Sequence, residues 1–168
     1  CRLKGVPIRI GVNSGSVEKE ILARFGGPTP EAMAESAMYH VGLLEKFDFD
    51  DIVISIKSSN VLSMIEAYER VAGLCSYPLH LGVTESGTER MGIIKSSVGI
   101  GSLLTKGIGD TIRVSLTDDP VKEVYAGFDI LKGIGLYNET PQLVSCPTCG
   151  RTKIDLISLA NEIEEKLR

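Results

Sequence analysis

Residues 8–13 read Ile8-Arg9-Ile10-Gly11-Val12-Asn13, a short run in which β-branched side chains alternate with polar or small ones. Successive side chains of a strand point to opposite faces, so this run has one apolar row and one polar row. Three further runs repeat the pattern, at residues 52–57, 79–84 and 111–116. We therefore predict four strands, each with an apolar row against helices. The opposite rows end with polar residues: Asn13, Lys57, Thr84 and Ser115.

Helical patterns follow each predicted strand. Ser16 is the predicted N-cap of a first helix over 17–25, and Thr29-Pro30 predicts the start of a longer one. Asn60 is the predicted N-cap of a helix over about 61–73. Further helices are predicted over about 88–104, 120–132 and 156–167. Alternating strands and helices are typical of an α/β protein with a parallel sheet. A complete (β/α)₈ barrel takes about 250 residues, so four βα units predict half of a TIM barrel, with an open doubly wound sheet as the alternative.

The polar rows carry cations that need a partner. Arg9, Lys57 and Arg113 lie on these rows, and burying unpaired cations costs several kcal/mol each. The strands offer no acid at these positions, and the nearest one is Glu85. A phosphorylated ligand therefore fits, bound where barrel active sites lie, at the carboxyl ends of the strands. The alternative is that the polar rows face water.

A second motif is Cys146-Pro147-Thr148-Cys149. Two residues between cysteines allow a tight turn to direct both sulfurs at one metal ion or cluster, and the same spacing suits a redox dithiol. A structural zinc knuckle or a pair of free thiols are the other interpretations. Two more ligands would be needed for a four-coordinate site, and Cys1 and Cys75 are more simply spectators.

Composition narrows the function classes. The chain has 168 residues with a formal net charge of −4, which argues against general nucleic-acid affinity. No apolar run approaches the ~20 residues of a membrane span, so no membrane association is predicted. Four unevenly spaced cysteines favour a reducing, cytoplasmic location. The chain opens on Cys1 without a signal peptide or a starting Met, and we expect a fragment of a longer protein.

Five motifs together resemble the 4-hydroxy-3-methylbut-2-en-1-yl diphosphate synthase family of isoprenoid (terpenoid) biosynthesis. They occur here in the family order and cover nearly the whole chain. They are Arg9–Ser16, Ser55-Ile56-Lys57, His80–Glu85, Gly109–Thr117 and Cys146–Arg151.

The resemblance implies an oxidoreductase that opens the ring of 2-C-methyl-D-erythritol 2,4-cyclodiphosphate reductively. It implies a 4Fe-4S cluster, with ferredoxin or flavodoxin as electron donor, and a homodimer. Cys146 and Cys149 match two metal ligands, while the third Cys and a Glu of the family pattern have no match in this chain. Residues 1–138 correspond to the second half of the barrel and 139–168 to the beginning of the cluster domain.

The resemblance also implies roles for the strand-end residues. Glu85 is the candidate catalytic proton donor, and His80 either lines the lumen as a core histidine or takes part directly. The matched substrate-binding positions are Arg9, Asn13, Lys57, His80, Thr84, Arg113 and Ser115.

Two other functions remain open: another phosphosugar TIM-barrel enzyme with a structural cysteine pair, and a non-catalytic zinc-bearing module. For a half barrel with uncovered sheet edges we expect self-association and no turnover by the fragment alone.

Overall fold

A computed structural model describes residues 1–167, with a short 3₁₀ turn at Arg2–Lys4 before the first strand. The described residues alternate between strands and helices, as the sequence predicts. The strands are β1 (Ile8–Asn13), β2 (Ile52–Lys57), β3 (His80–Leu81) and β4 (Thr111–Ile112). The helices are α1 (Lys19–Phe25), α2 (Pro30–Glu45), α3 (Val61–Ala72), α4 (Glu89–Leu104), α5 (Pro120–Gly133) and α6 (Leu156–Leu167).

All pairing between the strands is parallel and follows chain order. β1 pairs with β2 over their full lengths, from Ile8 opposite Ile52 to Asn13 opposite Lys57. β3 pairs with β4, with His80 opposite Thr111. A single bridge between Ile54 and Leu79 joins the two pairs. The carboxyl ends of the four strands therefore lie along one edge, as the βα alternation requires.

The apolar rows of the strands form the core with the helices. The row that includes Ile10, Ile54 and Leu81 is buried, and it belongs to one cluster with Met33 of α2 and Met64 of α3. The opposite row is more accessible, and on β1 both Arg9 and Gly11 are exposed. The water-facing alternative thus holds for part of β1, which is an edge strand among the described residues.

Two local predictions differ from the structure. Ser16 does not cap α1: its hydroxyl donates to the backbone oxygen of Asn13 at 3.1 Å, and Glu18 is the N-cap residue. Regular pairing in β3 and β4 is confined to two residues each, although the sequence predicts six. The backbones nevertheless stay close beyond these strands, because the N–H of Arg113 donates to the oxygen of Leu81 at 2.9 Å.

Two predicted helix caps are confirmed. Thr29 accepts from the N–H of Ala32 at 3.2 Å, and Asn60 accepts from the N–H of Ser63 at 3.0 Å. Each bond satisfies an amide that the helix itself leaves unpaired.

The chain divides into two compact units, Cys1–Ile130 and a second one that begins at Leu131. The second unit contains α6, whose N-terminal Asp155 accepts from the N–H of Ser158 at 3.2 Å. Residues 141–149 of this unit have no regular secondary structure and are exposed. Within residues 1–167, none of the helices has the length and apolar character needed to cross a lipid bilayer.

Candidate functional site

Three cations, Arg9 on β1, Lys57 on β2 and Arg113 just after β4, lie close enough to affect the pKa of Lys57. Burial lowers the pKa of Lys57, and the positive charges of Arg113 and Arg9 lower it further. Each of these residues lies on a polar row, as predicted. Among residues 1–167 no carboxylate forms an ion pair with any of the three. The region is therefore a concentration of positive charge without its counter-charge.

The register explains why Lys57 and Arg113 meet, whereas Arg9 lies opposite Val53, four residues before Asn13. On β2, Lys57 lies opposite Asn13 of β1. The bridge between Ile54 and Leu79 sets the register of β2 with β3, and three residues further along each chain segment Lys57 lies level with Gly82. The pairing of β3 with β4 then places Gly82 level with Arg113. One layer across the sheet thus contains Asn13, Lys57, Gly82 and Arg113.

Gly82 is the one residue of this layer without a side chain, and the structure shows why. A Cβ at this position would lie 2.9 Å from the backbone oxygen of Arg113, closer than real Cβ atoms approach backbone. Glycine therefore allows the backbones that follow β3 and β4 to approach each other closely beside the Arg113 side chain.

His80 lies two residues before Gly82, on the same face of the sheet, and the three cations affect its pKa. Its Nδ1 is 2.8 Å from the hydroxyl of Thr111, and its Nε2 is buried without a partner among the described residues. Burial lowers the pKa of His80, with further lowering by Arg9, Arg113 and Lys57. The Nε of Arg113 is likewise buried and unpartnered. The Nε of Arg113 is a donor, and Nε2 of His80 is one when it carries a proton, so both could hydrogen bond to an acceptor group.

Asn13 is fixed by the loop that follows β1. Its Oδ1 accepts from the N–H of Gly15 at 3.1 Å, which leaves the two N–H groups of the carboxamide as its donors. Asn13 therefore presents donors, like the cations of its layer.

The carboxyl ends of β3 and β4 are tied together by a hydrogen bond from the hydroxyl of buried Ser86 to the backbone oxygen of Ser115. Glu85, just before Ser86, is exposed and has a positive φ of 51°. A left-handed backbone costs about 1–2 kcal/mol for a residue with a side chain, and such strain is concentrated at functional sites. Thr84 and Ser115 are half-buried beside it.

The cysteine pair lies in the second unit. Both thiols are exposed, and hydrogen bonds from Arg151 and Thr152 lower the pKa of Cys149. A lower pKa favours the thiolate, which is the form that binds metal. Residues 1–167 contain no group of three or more metal-ligating side chains. The pair therefore fits two positions of a thiolate site and requires further ligands from elsewhere.

Sequence reasoning missed three residues that shape the site: Tyr68, Ser86 and Glu123. Glu123 of α5 accepts from the backbone N–H of Leu116 at 2.8 Å, and Ser86 and Tyr68 bond to strand backbone. Tyr68 could have been recognised from the sequence, because a tyrosine on the otherwise apolar buried face of α3 needs a hydrogen-bond partner.

Parallel strands with intervening helices define an α/β protein, and Lys57 and Arg113 lie towards the carboxyl ends of its strands. Comparison with known proteins refines this assignment. The GcpE TIM-barrel domain matches residues 1–128. The chain belongs to the GcpE family.

Curated relatives agree with this assignment. A protein of Clostridium tetani is 62% identical over 164 residues, and one of Fusobacterium nucleatum subsp. nucleatum is 60% identical over 165; each match covers 98% of this chain and 47% of the relative. A Clostridium perfringens protein is 60% identical over 167 residues, and this match covers 99% of this chain and 48% of the relative. All three are named 4-hydroxy-3-methylbut-2-en-1-yl diphosphate synthase (flavodoxin). This chain spans about half the length of these relatives.

Proposed function

We propose that the protein is a 4-hydroxy-3-methylbut-2-en-1-yl diphosphate synthase in which this chain supplies much of the substrate site. The observation that carries the proposal is the convergence of Arg9, Lys57 and Arg113 with no carboxylate paired to them. A cyclic diphosphate supplies the missing negative charge and enough acceptor oxygens for several donors at once.

In the proposed complex the cations and amide bind the diphosphate group. Lys57 contributes a point charge, whereas Arg9 and Arg113 offer forked N–H donors. Asn13 and the hydroxyls of Thr84 and Ser115 complete the binding set. His80 donates from Nε2 to the same ligand, which satisfies a nitrogen that otherwise has no partner.

Glu85 is proposed to supply a proton during the ring opening. The reaction takes up two electrons and two protons, breaks one carbon–oxygen bond to phosphate, and releases one water. Glu85 lies at the strand end next to the binding set, where a carboxylic acid can reach the carbons of a bound substrate.

A 4Fe-4S cluster, when bound, delivers the two electrons one at a time. Cys146 and Cys149 are the residues of this chain that we propose to hold it, with the other ligands outside this chain. Flavodoxin, the donor in the names of the relatives, is the proposed source of electrons, with ferredoxin as the alternative.

The organisation of the whole protein is proposed on the same basis. Residues 1–138 form the second half of the barrel and 139–168 begin the cluster domain. The complete protein is a cytoplasmic homodimer, and the fragment alone self-associates without turnover, because its strand edges at β1 and β4 have no partners within residues 1–167.

The experiment uses protein from the complete reading frame, reconstituted anaerobically with iron and sulfide. With reduced flavodoxin and the cyclic diphosphate, we expect formation of the allylic diphosphate. The variant Cys146→Ser should lose the brown iron–sulfur colour and turnover while still binding the substrate. A colourless protein with stoichiometric zinc and no turnover would favour the non-catalytic module, and turnover of another phosphosugar would favour a different barrel enzyme.

A further inference from the structure

Tyr68 makes an unusual connection through the sheet. It projects from α3 and its side chain is fully buried. Its hydroxyl accepts a hydrogen bond from the backbone N–H of Ile56 on β2 at 2.9 Å and donates one to the backbone oxygen of His80 on β3. The phenol oxygen thus lies between the two strands and bonds to both.

This position belongs to the pairing of β2 with β3. One step earlier, the N–H of Ile54 donates directly to the oxygen of Pro78 at 2.8 Å. In a parallel ladder the next such bond joins residues two positions further on, Ile56 and His80. The hydroxyl of Tyr68 takes the place of that direct bond, so the two backbones are separated here by an additional oxygen atom.

The separation ends just beyond the two strands, where the backbones bond to each other directly again. The next contact, from the N–H of Thr84 to the oxygen of Ser58, is 3.4 Å long. Regular pairing of β2 with β3 is accordingly limited to the bridge between Ile54 and Leu79. The widened part of the sheet is the part that carries Lys57.

The phenol is suited to this structural role. Burial raises the pKa of Tyr68 to about 12, although the positive charges of Arg113 and Arg9 act in the opposite direction. The hydroxyl therefore keeps its proton and stays a donor to His80 at all ordinary pH values. The effect of Arg113 and Arg9 also shows that the phenol lies near the cation cluster.

We infer that Tyr68 is a positioning residue of the anion site, whose hydroxyl holds β2 and β3 apart at the width that a diphosphate between Lys57, His80 and Arg113 requires. This inference rests on the proposed function, because it presupposes that the cluster binds a polyanion. Tyr68 acts on the ligand only through the backbone of the two strands.

The test compares Tyr68→Phe with wild type in protein from the complete reading frame. The probe is inorganic pyrophosphate, titrated by calorimetry well below the melting temperature of each protein. We expect about tenfold weaker binding by Tyr68→Phe, because small displacements of binding groups have large effects. The control is Val71→Ala, a cavity variant of the same helix face, which should lose stability but bind pyrophosphate within about twofold of wild type.

Each outcome decides the question. Equal affinities of wild type and Tyr68→Phe would overturn the inference, as would an equal loss in Val71→Ala, because the effect would then follow stability alone. If Tyr68→Phe does not fold, Ser55→Ala replaces it, since the Ser55 side chain hydrogen bonds to the phenol. Weaker binding by Ser55→Ala would support the inference and wild-type binding would overturn it. Failure of wild type itself to bind pyrophosphate would instead refute the proposed function.

Discussion

The imidazole Nδ1 of His80 lies 2.8 Å from the hydroxyl of Thr111, the residue directly opposite it in the register of β3 and β4. This bond fixes the ring so that Nε2 remains buried and unpartnered on the side of the cations. Burial and the neighbouring cations lower the pKa of His80, and its Nε2 can donate to a ligand when it carries a proton.

The first prediction concerns proton uptake by His80. Its pKa in the free protein lies below the ordinary value of 6.5, and a bound polyanion should raise it. At a pH between the pKa of His80 in the free protein and its pKa in the bound protein, binding of pyrophosphate should therefore take up a fraction of a proton, up to about one. Calorimetry at pH 6 in buffers of different ionisation enthalpy measures that uptake.

The control for proton uptake is His80→Gln, which replaces the imidazole with an amide that can still hydrogen bond but does not titrate. It should show only the uptake that pyrophosphate itself contributes. The same pKa shift predicts that the ligand-free protein loses stability as the pH falls below 6.5, because the unfolded state then binds more protons than the folded state. Equal uptake by the variant and wild type would exclude His80 from the site.

The second prediction concerns the cost of the unpaired cations. Lys57→Met removes a charge whose pKa is lowered by burial and by Arg113, so the ligand-free protein should gain about 1 kcal/mol of unfolding free energy. Pyrophosphate affinity should fall at least tenfold. Urea unfolding and calorimetry measure the two effects.

The pH dependence of the stability that Lys57→Met gains provides a further check. Wild-type Lys57 loses its proton above its lowered pKa, so the stability difference should shrink as the pH rises towards the ordinary value of 10.5. Lys19→Met, at an exposed position of α1, is the matched control and should leave stability and affinity nearly unchanged. A loss of stability in Lys57→Met would mean that Lys57 is already paired.

The third prediction concerns backbone strain at the proposed proton donor. Glu85 has a φ of 51°, so Glu85→Gly should stabilise the protein by up to about 1 kcal/mol while abolishing turnover. Asp48 also has a φ of 51° and is exposed, but it lies outside the site. Asp48→Gly should therefore give a similar gain in thermal stability with unchanged turnover. Full activity of Glu85→Gly would remove Glu85 from the proposed chemistry.

The fourth prediction concerns the close approach at Gly82. In Gly82→Ala the new Cβ meets the backbone oxygen of Arg113 at 2.9 Å, so the chain beside Arg113 must shift. We expect a loss of about 1–3 kcal/mol in unfolding free energy and weaker pyrophosphate binding. Gly11→Ala is the control on the same face, because a Cβ there has no atom within 4 Å. Equal stability and equal pyrophosphate affinity of the two variants would show that the backbone beside Arg113 can shift without effect.

Much of the architecture is predictable from local patterns. The apolar rows at 8–13 and 52–57 and the caps at Thr29 and Asn60 depend on neighbouring residues, and the structure confirms them. The polar row of β2 also places Lys57 at the strand end, level with Arg113, because parallel register aligns the strand ends along one edge. The resemblance to the GcpE family, stated from five motifs, is confirmed by the match over residues 1–128.

Other features depend on contacts between distant parts of the chain. Sequence alone does not show that the hydroxyl of Tyr68 enters the pairing of β2 with β3, nor that regular pairing ends early in β3 and β4. The positive φ of Glu85 cannot be predicted from the local sequence either, because glutamate, unlike glycine, rarely adopts a left-handed backbone. Ser16 was misjudged because its hydroxyl bonds back to Asn13. The assigned roles of the strand-end residues and of Cys146 and Cys149 stay predictions.

The most direct measurement is a calorimetric titration of inorganic pyrophosphate into protein from the complete reading frame, beside the triple variant Arg9→Ala, Lys57→Ala, Arg113→Ala. We expect saturable binding at one site per chain, which weakens as salt is added and is absent from the triple variant. Equal binding by wild type and the triple variant, or no binding by a folded wild type, would contradict it.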